Sequence, residues 1–346
     1  MKIAIIGAGM AGLGAARTLQ QNGHDVSLFD KGASVGGRVG TRRFEYNGAT
    51  TFFDHGAQNV KSQNTALESE LGRIGFNQRV FIDVPVCLHD EDRVLAPDKN
   101  ANAEPKWTTQ NGMKNLPHAL SEGLNVHLNV RVSRLEENAD GLTLRDENNR
   151  VLDVCERAII TLPAPQAAGL LANSSLRDDV SARIATLRSV EYSRCLSVLL
   201  GFDFATELDW YALLAQDRQS PLLWLACENA KSGFVPPDQT AFVAQLGDAI
   251  SCELYESDDA EIVRQTLLWL QRIDGRLVAP SRSLVKRWKF SQPKNPIGFA
   301  DANAPADRVL VCGDGLSKGR VTAAWDSGVE AAQWLIRGHD RRLKHD

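Results

Sequence analysis

Three glycines near the start of the chain stand at a spacing that suits one kind of chemistry. Gly7, Gly9 and Gly12 form G-x-G-x-x-G, and Asp30 follows about 20 residues on. This pattern suits a dinucleotide. Gly7 permits a tight turn, Gly9 lets the backbone approach a pyrophosphate with no Cβ between them, and Gly12 lets a helix lie close to a strand. Asp30 can accept hydrogen bonds from ribose hydroxyls. Gly36-Gly37-Arg38 follows. Its guanidinium fork could grip phosphate oxygens at two points, although alone the segment reads better as a solvated basic loop. Asp54-His55-Gly56-Ala57-Gln58 is either an ordinary turn or a small-residue turn on which a flat ring could lie.

These residues need particular elements to position them. Ile3 to Ile6 is a continuous apolar run, as a parallel strand buried on both faces requires. A helical pattern follows the glycines, with Ala11, Ala15, Ala16 and Leu19 on one side and Asn22-Gly23 as its C-cap. Val26 to Phe29 is a second strand ending at Asp30. The helix N-terminus then offers free N–H groups and the positive end of its dipole to phosphates. Strand, glycine turn, helix, strand and acid agree on a dinucleotide site, without separating FAD from NAD.

The totals bound the rest. A chain of 346 residues exceeds what one core usually holds, so two domains are expected. A net charge of −4 gives no general attraction to nucleic acid or to an anionic membrane. The apolar run after Met1 carries regularly spaced glycines, and reads as a buried strand and turn rather than a leader. No apolar stretch reaches the length of a membrane span. Six cysteines without a C-x-x-C pair point to reduced thiols in the cytoplasm, with no disulfide framework and no metal site. No Ser-His-Asp arrangement is legible, and nothing sets the oligomeric state.

Leu124 to Leu135 alternates through Val126, Leu128, Val130 and Val132, predicting one half-buried strand. Leu142–Leu144 and Val151–Val154 predict a hairpin around Asp146 to Asn149. From Ala168 the character changes. Ser181–Leu187 and Glu261–Ile273 read as helices, and Cys195–Phe202, Leu222–Cys227 and Ala241–Leu246 as strands of a second sheet. This part carries Trp210, Tyr211 and Trp224. Core packing accounts for any one of them, but a sheet laid over a cofactor would also supply a pocket roof. Val309 to Cys312 is another buried strand, closed by Gly313-Asp314, and Gly319 precedes a helix from Val321 to Ile336. The tail Arg341 to Asp346 is expected to fray.

The glycine turn, Asp30, Gly36-Gly37-Arg38 and Asp54 to Gln58 together resemble the flavin amine oxidase superfamily, and within it the bacterial renalase branch. Further along the chain, Lys106-Trp107 with Gly112-Met113, Ile159 to Ala167, Lys286-Arg287-Trp288 with Pro293, Cys312-Gly313-Asp314, Gly319-Arg320-Val321 and Ala324-Trp325 also match. The likeness runs from the first strand to the last helix and is loosest in the middle third. It implies an α/β fold: a Rossmann-like FAD-binding domain of residues 1–65, 105–167 and 285–346, and an inserted α+β substrate domain of residues 66–104 and 168–284.

For the cofactor, the resemblance implies contacts from Gly7, Gly9, Met10, Ala11, Gly12, Asp30 and Lys31, and from Gly37 and Arg38. Gly56, Ala57 and Gln58 would lie along the ring, with the backbone of Val132 against the adenine and Thr161 nearby. Gly313, Asp314, Gly319, Arg320, Val321 and Ala324 would form the late segment. There Asp314 would meet a ribityl hydroxyl or, through water, a phosphate, and the helix N-terminus would face the flavin C2 carbonyl. Trp288 would touch both cofactor and substrate.

The implied activity is oxidation of dihydronicotinamide dinucleotides carrying the extra hydride at C2 or C6, with O2 as final acceptor and H2O2 released. Such a transfer needs positioning and no base, because the donor ring becomes a stable cation without losing a proton. The catalytic-site candidates beside the ring are Gln58, Trp288, Gln245 and Asn229. Gln245 stands where relatives carry His, and cannot titrate near neutral pH. Lys286 either faces solvent or holds a water, as a lysine does in amine-oxidising relatives. The alternatives are an amine oxidase, a non-catalytic flavin-binding protein, and last a nicotinamide-dependent dehydrogenase.

Overall fold

The computed structural model describes residues 1–46, 48–61, 65–90, 92–177, 179–304 and 307–343. A five-stranded parallel sheet forms its base, in the order Asn125–His127, Asp25–Phe29, Lys2–Ile6, Arg157–Ile160, Val309–Val311. The chain leaves Lys2–Ile6 to one side first and returns to the other side much later. A crevice therefore opens at the carboxyl ends of Lys2–Ile6 and Arg157–Ile160, where such folds bind ligands. Helices Met10–Gln21 and Val321–Leu343 pack on this sheet and on each other. Their approach depends on two glycines. A Cβ on Gly328 would fall 1.9 Å from the carbonyl oxygen of Ala11, and one on Gly14 2.7 Å from that of Trp325.

A seven-stranded sheet forms the second layer, in the order Arg282–Pro293, Tyr192–Phe202, Thr240–Leu246, Leu222–Cys227, Ala212–Ala215, Val86–His89, Val94–Pro97. Its outer face is apolar, with Leu196, Val198, Leu200, Phe242 and Ala244 packed in a core with Ile262, Leu267 and Leu270 of helix Asp259–Ile273. Its inner face is partly covered by the hairpin Thr41–Tyr46 and Ala49–Asp54, through Phe53 against Leu199 and Val243.

The structure corrects several expectations. Leu124 to Leu135 is not one strand. Asn125–His127 joins the parallel sheet, while Arg134–Glu137 pairs with Leu142–Arg145 in a separate three-stranded sheet. Asn129 between them has φ of +57°, and the amides of Asn129 and Val130 donate to Gly32 and Asp30 carbonyls, so the chain bends to follow the loop after Asp30.

The domain boundaries also move. Residues 285–293 lie in the second sheet, because Arg282–Pro293 is its edge strand. Helix Ala66–Arg73 packs against the last helix and joins the core around the parallel sheet through Leu67 and Leu71. The last helix continues through Leu343, so residues 341–343 are helical, and the rest of the expected tail lies outside the described residues. Among the described residues no helix is long and apolar enough to cross a membrane.

Candidate active site

The glycine turn is built as its spacing predicts. Gly7 has φ of +113°, and a Cβ there would strike Thr161 Oγ1 at 2.4 Å. Thr161 donates from that hydroxyl toward the carbonyl oxygens of Ile6 and Gly7, pinning the turn across the crevice. A Cβ on Gly12 would fall 2.0 Å from Gly7 O, so the helix can start only where this side chain is missing. Gly9 is the N-cap of Met10–Gln21, and a Cβ on it would meet nothing within 4 Å. The first-turn amides of that helix, starting at Met10 and Ala11, have no intrahelical partner. Space in front of them, with no side chain to fill it, suits a pyrophosphate.

Asp30 ends strand Asp25–Phe29. Its carboxylate accepts from the amides of Ala8 and Gly32, both at 2.7 Å, and so braces the glycine turn. A carboxylate has about four acceptor positions, which leaves capacity for ribose hydroxyls. Lys31 is exposed beyond it, and Val132 is buried in the nearby loop. Gly36 bridges to Gly9, and its amide donates to Ala8 O, which places Gly37 beside Gly9.

Arg38 is held by protein partners. Its guanidinium grips the Asp314 carboxylate at 2.5 and 2.7 Å and also donates to the carbonyl oxygens of Phe290 and Ser291. Tyr192 OH donates to the same carboxylate at 3.3 Å. Gly313 turns the chain at φ of +127°, while Gly319, Arg320, Val321 and Ala324 lie at or just before the start of the last helix.

The turn from Asp54 to Gln58 lies against the backbone of Arg38. A Cβ on Gly56 would fall 2.0 Å from Arg38 O, and the Ala57 amide donates to that oxygen. The second sheet reaches this turn with two side chains. Trp288 Nε1 donates to His55 O at 3.0 Å, and Gln245 Nε2 to Gly56 O at 2.9 Å. The His55 ring stacks on Trp288, and burial, reinforced by Lys286, pushes its pKa down to about 4.

The sheet register places Lys286, Ser197, Gln245 and Trp224 in one row, with Trp288 and Cys195 in the next. Side chains on one face repeat every second residue. By that rule the strand positions of this inner face hold no Asp and no Glu.

Two ring-neighbour candidates, Gln58 and Asn229, have side chains engaged by protein partners. The Gln58 side chain is buried. It donates to Asp54 O and turns its oxygen toward Lys231 Nζ at 3.5 Å. Asn229 donates to Gln239 O and accepts from the Ala241 amide, so it caps strand Thr240–Leu246. Sequence reasoning also missed a buried cluster behind the turn. Lys231 contacts Asp54 Oδ2 at 2.8 Å and both Glu228 oxygens at 3.0 Å, with all three side chains fully buried. The signal was present, since Glu228 and Lys231 are two charges one helical turn apart after the apolar strand Leu222–Cys227.

All six cysteines are free thiols, five of them buried. Burial pushes Cys195 up to about 11 and Cys155 and Cys227 up to about 12, which keeps these three as unreactive thiols.

Comparison with known proteins adds to this geometry. Residues 98–336, more than half of the chain, match the model of the flavin containing amine oxidoreductase family, and residues 5–71 match an NAD(P)-binding Rossmann-like domain. The flavin-dependent L-tryptophan oxidase RebO of Lentzea aerocolonigenes is 34% identical over 79 residues, covering 23% of this chain and 17% of that protein. The 4,4'-diapophytoene desaturase of Staphylococcus aureus is 54% identical over 39 residues, covering 11% of this chain and 8% of that protein. The chain thus matches only a small part of these relatives' length.

Solved structures align over nearly the whole chain. A protein assigned as protoporphyrinogen oxidase from Exiguobacterium sp. 255-15 gives a TM-score of 0.75 at 14% identity, with 96% of this chain and 98% of that one covered. Putrescine oxidase bound to putrescine gives 0.71 at 15% identity, with 97% and 99% covered. At such identities the likeness concerns the fold alone.

Proposed function

Because the chain belongs to the flavin containing amine oxidoreductase family, and is an FAD-dependent oxidoreductase, we propose that it oxidises dihydronicotinamide dinucleotides whose extra hydride sits at C2 or C6. The inner face of the second sheet carries this reading. Over the Gly56 turn it offers flat rings in Trp288 and Trp224, an amide in Gln245 and a cation in Lys286, with no carboxylate at its strand positions. Such a surface suits a neutral ring with a carboxamide and an anionic tail. A diamine is dicationic at neutral pH and needs a carboxylate to hold it.

When bound, FAD would supply the hydride acceptor, with O2 as the final electron acceptor and H2O2 as the product. The protein's part is positioning. The Met10–Gln21 helix N-terminus would hold the pyrophosphate and Asp30 the ribose, while Trp288 and Gln245 hold the turn that would lie along the ring. The donor ring becomes a cation without losing a proton, so no side chain has to act as a base. Reduced thiols favour a cytoplasmic setting for this reaction.

Lys286 also favours a second reading, oxidation of an amine that carries its own carboxylate. One experiment decides between them. The holoenzyme is mixed without oxygen, in a stopped-flow spectrometer, with 2- or 6-dihydro-NAD, ordinary NADH, amino acids and diamines. Rapid loss of flavin absorbance with the isomers alone is the expected result. Bleaching by an amino acid or a diamine and not by the isomers overturns it.

A further inference from the structure

Lys231 is the most enclosed cation among the described residues, and the reaction outlined above does not use it. Its side chain is fully buried, between the Asp54 and Glu228 carboxylates and the faces of Tyr211 and Phe234 at 5.7 and 5.1 Å. Although burial opposes its charge, the two carboxylates hold its pKa above the usual lysine value. Burial also pushes Glu228 up to about 7. A hydrophobic side chain of similar shape would often be as stable as such a cluster, so stability alone is a weak account of it.

What the cluster holds is more specific. Asp54 Oδ1 accepts from Thr41 Oγ1 at 2.6 Å and from the Met113 amide at 2.8 Å, and Oδ2 accepts from Thr108 Oγ1 at 3.2 Å as well as from Lys231. The Asp54 amide donates to Glu228 at 3.1 Å. Asp54 O accepts from the Gln58 side chain, and Gln58 O accepts from Tyr211 OH at 3.2 Å. Both ends of the turn from Asp54 to Gln58 are therefore tied to this buried cluster, while Gln245 and Trp288 hold its middle from the second sheet.

We propose that Lys231 is a positioning residue. Through Asp54 and Gln58 it sets the placement of the Gly56-Ala57 backbone against the flavin, and thereby the electronic properties of the bound cofactor. The claim rests on the family's flavin and on this geometry, and not on the identity of the substrate. A substrate-free readout therefore keeps its failure separate from that of the dihydronicotinamide reading.

The test compares the wild-type holoenzyme with Lys231→Met, Lys231→Met/Glu228→Gln and Glu228→Gln. It measures melting temperature, FAD content, the visible absorption bands and the flavin reduction equilibrium against a reference dye. Lys231→Met leaves two carboxylates buried without their cation and is expected to melt early. Adding Glu228→Gln removes one of these two charges, leaves Asp54 to the Thr41, Thr108 and Met113 donors, and recovers part of the melting temperature. The absorption bands and the dye equilibrium are expected to stay displaced from wild type in this double variant. Glu228→Gln alone keeps the Lys231–Asp54 pair and displaces both less.

A double variant that recovers stability together with wild-type bands and dye equilibrium overturns the proposal. So does a double variant that fails to fold while Glu228→Gln folds, because Lys231 then serves stability alone.

Discussion

The side-chain amide of Gln245 donates to the carbonyl oxygen of Gly56 at 2.9 Å, across 189 residues of chain. One hydrogen bond thus joins the second sheet to the turn that lies against Arg38. Gln245→Leu removes the donor and leaves a partly buried carbonyl unpaired, at a cost of about 1–3 kcal/mol. Thermal melting checks the stability, and anaerobic flavin reduction by the 2- and 6-dihydro-NAD isomers checks the rate, which is expected to fall. Unchanged melting and rate would show that this bond does not fix the turn.

Two glycines of one motif are expected to respond in opposite ways. Gly9 has φ of −76°, and its Cβ position is clear of protein atoms. Gly9→Val should therefore fold and melt near the wild-type temperature while failing to retain FAD. Gly12→Ala puts a methyl group 2.0 Å from Gly7 O and should unfold the turn itself. Flavin absorbance after desalting, read beside a melt, separates the two, and a yellow Gly9→Val protein would contradict the pyrophosphate assignment.

The pair between Arg38 and Asp314 ties the second glycine segment to the late one. Asp314→Asn keeps the shape and removes the charge that answers Arg38. Breaking such a pair costs about 3 kcal/mol, so denaturant midpoint and FAD content should fall together. A loss of FAD with no loss of stability in the apoprotein would instead mean that Asp314 serves the cofactor directly.

His55 predicts a pH dependence. Its folded pKa of about 4 lies below the ordinary value of 6.5 because burial disfavours the charged ring. The unfolded chain therefore binds a proton that the folded chain refuses, and stability falls as pH drops from about 6.5 toward 4. The loss between pH 7 and pH 5 from this group is about 2 kcal/mol. Denaturant unfolding of the wild type and of His55→Gln at both pH values checks it. The variant should lose less on acidification, and an equal loss would show that carboxylates carry the whole effect.

Part of the site was legible because its geometry is local. The turn from Gly7 to Gly12 follows from missing side chains within six positions, and the helix stop at Asn22-Gly23 from a residue type that tolerates φ of +75°. The hairpin of Leu142–Arg145 and Val151–Cys155 follows from alternation on either side of a polar turn. The break at Asn129 was not legible, because the flanking alternation continues through it. Only the loop after Asp30, nearly a hundred positions earlier, accepts the amides that bend the chain. Gln58 and Asn229 carry side chains able to meet a ring, but buried backbone groups and Lys231 claim them first.

The sequence by itself determined the glycine turn between the first strand and its helix, because a handful of neighbouring residues sets that conformation. Tertiary structure alone decided which side chains share the site. Gln245 lies beside Trp224 and Ser197 through strand register, and Lys231 meets Asp54 across 177 positions. Each such contact is the endpoint of a sheet's twist, register and packing, and a shift of one residue in register would turn Gln245 to the opposite face.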